Sequence, residues 1–137
     1  MNTYNVNDEN FINSQIYQNF INANSASGML KIRAFAAREA IPIAGLKVTV
    51  SKIVDNNKII FSEGYTDNSG MIEEISLPAP KLDESNLMAP NKITYDIEAI
   101  YLPNNTIYNY KVNIYEDICV IQIINIITDT LGDKNGS

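Results

Sequence analysis

The stretch TDNSGMIEEISLPAP, Thr66 to Pro80, holds the clearest structural punctuation in the chain. An acid, an amide, a hydroxyl and a glycine follow one another at Asp67-Asn68-Ser69-Gly70. A calcium loop needs acids at alternate positions and a distal glutamate, and this stretch lacks both. The same residues suit a type I turn closed by a left-handed glycine, with the Asp67 carboxylate accepting from the turn N–H groups. Asp67 and Gly70 are therefore expected to be turn residues, joining a strand that ends near Tyr65 to one that begins near Met71. The expected form is a short hairpin with a bulge.

Outward from this turn, apolar residues alternate with polar ones, the period of a half-buried strand. Leu30, Ile32 and Ala34 alternate with Lys31 and Arg33, and Leu46, Val48 and Val50 with Lys47, Thr49 and Ser51. Ile93, Tyr95, Ile97, Ala99 and Tyr101 repeat the pattern, as do Tyr108, Tyr110, Val112 and Ile114. With KIIFSEGY, MIEEISL and CVIQIINIIT there are seven candidate strands, separated by segments rich in Gly, Pro, Asn and Asp. The expected fold is all-β: a seven-stranded antiparallel Greek-key β-sandwich. Gln122 and Asn125 have opposite parity in the last strand, which predicts a bulge or a covered outer face there.

Before Gly28 the period is helical. Ile12, Ile16 and Phe20 recur every four residues, with Phe11 beside them, and Asn7 or Asp8 can cap the start. The expected organisation is an N-terminal extension with a short amphipathic helix over 1–27, the sandwich over 28–128 and a flexible tail over 129–137.

Composition removes several functions. The chain has 137 residues, suited to one domain, and a net charge of −6. Nucleic acid and anionic membranes both reward Lys and Arg, so neither is an expected partner. No apolar run is long enough to span a bilayer, and MNTYNVNDENFINSQ is not a signal peptide. Synthesis in the cytoplasm is expected. There is one cysteine, no tryptophan and no histidine. Without imidazole the chain lacks the usual general base and the commonest metal ligand.

The remaining chemistry is thin. Ser51, Ser62, Ser69 and Ser76 have no histidine to activate them, and Ser51 and Lys52 point to opposite faces of a strand. Glu73 and Glu74 are also sent to opposite faces unless a bulge intervenes. Cys119 reads as a buried, inert thiol. The tyrosines read as core filling with hydroxyls at the sandwich rim rather than as a sugar platform. No catalytic, metal-binding or cofactor-binding residue is expected, and no cofactor.

Phe35 is the exception to the alternation, since its parity points it outward beside Lys31 and Arg33. The candidate interaction surface is therefore Phe11, Ile12, Ile16 and Phe20 of the helix, Phe35, and Leu82, Leu87 and Met88 of the loop between Pro78 and Pro90. The helix either folds over the outer face of its own sandwich, covering Phe35, or docks on a neighbour.

Three segments in this order carry a family likeness. AIPIAGLKVTV (Ala40–Val50) resembles the first block of carboxypeptidase-regulatory-like domains, which have the prealbumin (transthyretin-like) fold. TDNSGMIEEISLPAP resembles their second block, and ITYDIEAIYLPNNTIYNYKVNIYE the strand pair that follows. The LPAP ending is similar to versions in spore-forming Gram-positive bacteria, in proteins related to spore cortex-lytic and peptidoglycan-binding proteins. Enzymes of the prealbumin class, the hydroxyisourate hydrolases and intradiol dioxygenases, rely on histidines that this chain lacks.

The resemblance implies a non-catalytic structural or protein–protein interaction module of a bacterial envelope or spore-associated system. The alternative is a small structural subunit of an assembled particle, such as a phage tail or contractile device. A prealbumin-class enzyme is disfavoured by the missing imidazole. The implied partner is a protein or a second copy, with peptidoglycan only indirectly involved and the final location a spore or particle.

Overall fold

The computed structural model describes residues 1–37, 40–83, 85, 88 and 90–127. Nine strands and two short helices are formed among them: β1 (Thr3–Asn5), α1 (Glu9–Ile12), α2 (Gln15–Ala23), β2 (Ala26–Ala36), β3 (Ile41–Pro42), β4 (Lys47–Val54), β5 (Asn57–Tyr65), β6 (Met71–Ala79), β7 (Ile93–Tyr101), β8 (Thr106–Ile114) and β9 (Cys119–Ile126). The expected count of seven is corrected by β1 and β3, which are too short to show a period.

Sheet A has the order β1-β5-β4-β7-β8. In sheet B, β2 is the central strand. β6 and β3 share one edge, because the Ala34 N–H donates to the Gly70 carbonyl at 2.7 Å and the Ile43 N–H to the Ala34 carbonyl at 3.0 Å. β9 lies on the other edge and runs parallel to β2, with Met29 opposite Cys119 and Ala36 opposite Ile126. The sandwich is therefore mixed rather than wholly antiparallel; β1 is also parallel, to β5.

The alternation seen in the sequence decides which side chains meet between the sheets. Leu30, Ile32, Ala34 and Ala36 of β2 face Val48, Val50, Tyr95, Ile97 and Ala99 of sheet A in one continuous core. The β9 register shows no bulge. The parity conflict is met instead by Gln122, half-buried with its amide on the Ile123 carbonyl, while Asn125 is exposed. A bulge does occur in β6. Leu30 pairs with Ile75 and Ile32 with Ile72, so Glu73 and Glu74 together stand opposite Lys31. Ile72 and Ile75 differ by three positions, and simple alternation cannot turn both inward. The extra residue lets them do so and leaves both carboxylates exposed.

Turn chemistry matches the hairpins that pair. Asp55 and Asn56 both have positive φ, 48° and 63°, the two-residue turn that suits strand twist between β4 and β5. The Thr66–Gly70 turn is different. The Asp67 carboxylate accepts from the N–H groups of Ser69 (2.9 Å) and Met71 (3.0 Å), and Gly70 has φ +77°. Yet β5 and β6 do not pair; they belong to different sheets. The expected hairpin is corrected to an arch. Thr66 anchors one side, its buried hydroxyl donating to the Ile43 carbonyl (2.6 Å) and accepting from the Leu46 N–H (3.0 Å). Gly70 anchors the other through its bond to Ala34.

The N-terminal segment forms two helices where one was expected. Asp8 caps α1 and Ser14 caps α2, each side chain accepting a backbone N–H of the first turn. The α2 helix packs on its own chain through Phe20, whose ring centroid is 5.4 Å from Phe61, itself 5.2 Å from Tyr95. Phe11 stacks on Tyr4 at 4.6 Å. A file of aromatic rings thus leads from β1 into the core. Phe35 is not part of that core.

Candidate binding surface

The inward set of β2 leaves Met29, Lys31, Arg33 and Phe35 on the outer face of sheet B. Their partners there are Cys119, Ile121, Ile123 and Asn125 on β9, and Ser76, Met71 and Pro42 on the opposite edge. Arg33 lies in the middle, with Met71 on one side and Ile123 on the other. Its guanidinium carbon is 5.1 Å from the Phe35 ring centroid, a cation–π contact. The Nε N–H is buried with no hydrogen-bond partner among the described residues. Beside this cation on β9, Ile123 is half-buried, and Ile121, the next outward residue, is 50% exposed. A shallow cavity of ≈ 410 Å³ continues the face past Met29 and Lys31 toward Glu74, Asp117 and Cys119.

The face explains two departures from expectation. Phe35 does point outward, but the Arg33 side chain and its strand neighbours leave it only 8% exposed. Cys119 was expected to be buried, and it is exposed, because its parity in β9 turns it to the outer face, where no described layer covers it.

The other sequence-selected residues lie apart from this face. Phe11 and Phe20 are buried within the chain, and Ile12 and Ile16 are half-buried. Leu82 and Met88 are exposed, and Leu87 falls outside the described residues. Leu82 is tethered by its N–H to a Glu116 carboxylate oxygen at 2.7 Å. Asp67 and Gly70 form the arch, and nothing in the alternation marks Arg33 as the centre of a surface. That signal needed the register of β9, which places isoleucines beside it.

Titration anomalies lie elsewhere. Burial raises the Tyr95 phenol far above its usual range, with the nearby Tyr17 adding to the effect. Burial also raises Tyr17. Loss of water lowers the Lys52 ammonium, opposed by Asp96 and assisted by Lys111. The Lys52 Nζ donates to the Thr94 carbonyl at 2.8 Å. Among the described residues no group of three or more Cys, Asp or Glu side chains could hold a metal ion. None of their helices is long and apolar enough to cross a membrane.

No family model matches the chain, and no curated protein matches it. Solved structures do resemble it. A Klebsiella pneumoniae 5-hydroxyisourate hydrolase is 16% identical with a TM-score of 0.49, over 72% of this chain and 90% of that one. Transthyretin from Sparus aurata is 14% identical with a TM-score of 0.46, over 72% and 91%. The expected role in a bacterial envelope, spore or assembled particle is not what these structures are named for: they are a hydrolase and a transthyretin, and the spore-associated likeness is not found. One of the two is named as an enzyme and the other is not. The likeness extends no further than the β-sandwich that the chain's own strands form.

Proposed function

We propose that the chain is a binding protein without catalytic activity, and that it holds a ligand with an apolar body and a carboxylate against the outer face of sheet B. Arg33 carries this reading. Its guanidinium is laid on Phe35, its Nε N–H is buried, and its terminal N–H groups have no hydrogen-bond partner among the described residues. A guanidinium fixed in this way offers a carboxylate two parallel hydrogen bonds with little entropy left to lose. Lys31, two residues along the same strand, adds a second positive charge in a chain of net charge −6. Ile121 and the half-buried Ile123 of β9 then receive the apolar body. The absence of catalysis rests on the sequence: with no histidine, none of the serines has the usual base.

The test uses 1-anilinonaphthalene-8-sulfonate, an apolar anion that fluoresces when removed from water, and its displacement by dodecanoate. Binding should saturate at one site, and Arg33→Met should abolish it without lowering the melting temperature. Equal binding by the variant overturns the site. Hydrolysis of a nitrophenyl ester above the buffer rate, lost on a single substitution, overturns the non-catalytic half.

A further inference from the structure

The outer face of sheet A has a different chemistry, and its register resolves it into rows. One row reads Glu63, Thr49, Glu98, Asn109 across β5, β4, β7 and β8. The next reads Ser51, Asp96, Lys111. On the other side lies Tyr65, Lys47, Ile100, Ile107. An open trough of ≈ 350 Å³ crosses the middle of this face, with Ser51 at its floor, Asp96 and Glu98 in the centre and Lys58 and Lys111 on its two sides.

We infer that this face is a second binding site, and that its ligand is a neutral oligosaccharide. The trough carries both signs of charge. An anion would meet Asp96 and Glu98, and a cation would meet Lys58 and Lys111. A neutral hydroxyl suits both, because it donates to a carboxylate and accepts from an ammonium, and such charge-assisted bonds are the stronger ones.

The floor is cut for close approach. Ser51 is the hydroxyl residue that lines the trough and is only 7% exposed; Thr49, in the adjoining row and outside the lining, is likewise 7% exposed. Neither hydroxyl has a hydrogen-bond partner among the described residues. One sugar ring fits the trough. A further ring reaches Tyr65, 60% exposed at the β5 end of the neighbouring row, a surface suited to the C–H face of a sugar; Ile107, 52% exposed, stands at the far β8 end beyond Lys47 and Ile100. This is the one place where a tyrosine stands out from the sandwich as a platform rather than filling it. Lys111 pairs with Asp96 at 2.6 Å as an exposed ion pair, which a hydroxyl can bridge without separating the two charges.

Titration of the ¹⁵N-labelled protein with maltohexaose, cellohexaose and chitohexaose tests this. At least one should shift amide resonances in β4, β7 and β8 and leave those of β9 unmoved. Glu98→Ala and Tyr65→Ala should each weaken it at least about tenfold, and Asn109→Ala gives a second polar variant should Glu98→Ala not fold. Raising the salt concentration should leave the affinity unchanged, since the ligand is uncharged. Arg33→Met should bind the saccharide like the parent, so this site fails or stands independently of the carboxylate site. No shift with any of the three at millimolar concentration overturns the inference. So does tighter binding of a sulfated hexasaccharide, or a response confined to sheet B.

Discussion

The Tyr95 hydroxyl donates to the Pro78 carbonyl at 2.6 Å, tying β7 of sheet A to β6 of sheet B across the core. Tyr95 is fully buried, so this bond is the one polar outlet for its ring. Tyr95→Phe keeps the shape and leaves the Pro78 oxygen without that donor. Chemical denaturation should show a loss of about 1–3 kcal/mol.

The same burial gives a pH dependence. The folded-state Tyr95 phenol ionises well above its ordinary value of 10.0, and Tyr17 is shifted the same way. Once the pH exceeds that ordinary value the unfolded chain ionises and the folded chain does not. The stability associated with these groups is therefore full below pH 10.0 and falls as pH rises beyond it. Lys52 acts oppositely: its lowered ionisation favours the folded state as pH approaches its ordinary 10.5. Tyr95 has the larger shift and should dominate. Melting curves should fall steeply in alkali, and Tyr95→Phe should flatten the fall; a Tyr95→Phe profile parallel to the parent would remove Tyr95 as its cause.

Gly70→Val tests the arch. The φ of +77° costs an L-residue about 1–2 kcal/mol, and a Cβ there runs into the Ala34 carbonyl oxygen and lies 3.2 Å from Pro42. A lower melting temperature with unchanged ligand binding is expected. Unaltered melting would show that the backbone at this position takes another conformation.

Thr66→Val tests the other anchor. The methyl replaces a 4%-exposed hydroxyl that serves the Ile43 carbonyl and the Leu46 N–H at once. Two backbone groups lose a partner, and about 1–3 kcal/mol for each is the expected range, read from urea unfolding.

The arm separates two kinds of damage. Phe20→Ala empties a place in the main core and should cost about 3–5 kcal/mol globally. Phe11 lies outside that core. Phe11→Ala should instead release β1 locally, read as faster hydrogen exchange at Lys58, whose N–H donates to the Asn2 carbonyl at 2.8 Å. Uniform loss of protection across the sandwich would show that the arm and the core unfold together.

The legible part of this fold was its alternation. Leu30 to Ala36, Leu46 to Val50 and Ile93 to Ala99 each put one face in water and one in oil, and that pattern survives any arrangement of the strands. Pairing was less legible. The Thr66–Gly70 turn has the local chemistry of a hairpin, and only the distant carbonyls of Ala34 and Ile43 turn it into an arch. In β9 the residues are apolar on both faces, so the sequence could not tell a strand covered on both sides from one left open at Cys119 and Ile121. Arg33 was read as an ordinary outward cation, because stacking on Phe35 two residues away is a matter of rotamer, not of period.

Because β9 lies parallel to β2, the central strand of sheet B receives its second neighbour from the opposite end of the chain. Hairpins such as β4–β5 and β7–β8 can zip early, since their partners are adjacent in sequence. Sheet B must wait for its last strand, and long-range pairing of this kind is slow. During synthesis the β2 edge stays open until Cys119–Ile126 emerges, a period in which a newborn chain is exposed to mispairing with its neighbours. The rate at which this protein reaches its native state should therefore be governed by the arrival of β9 rather than by either hairpin.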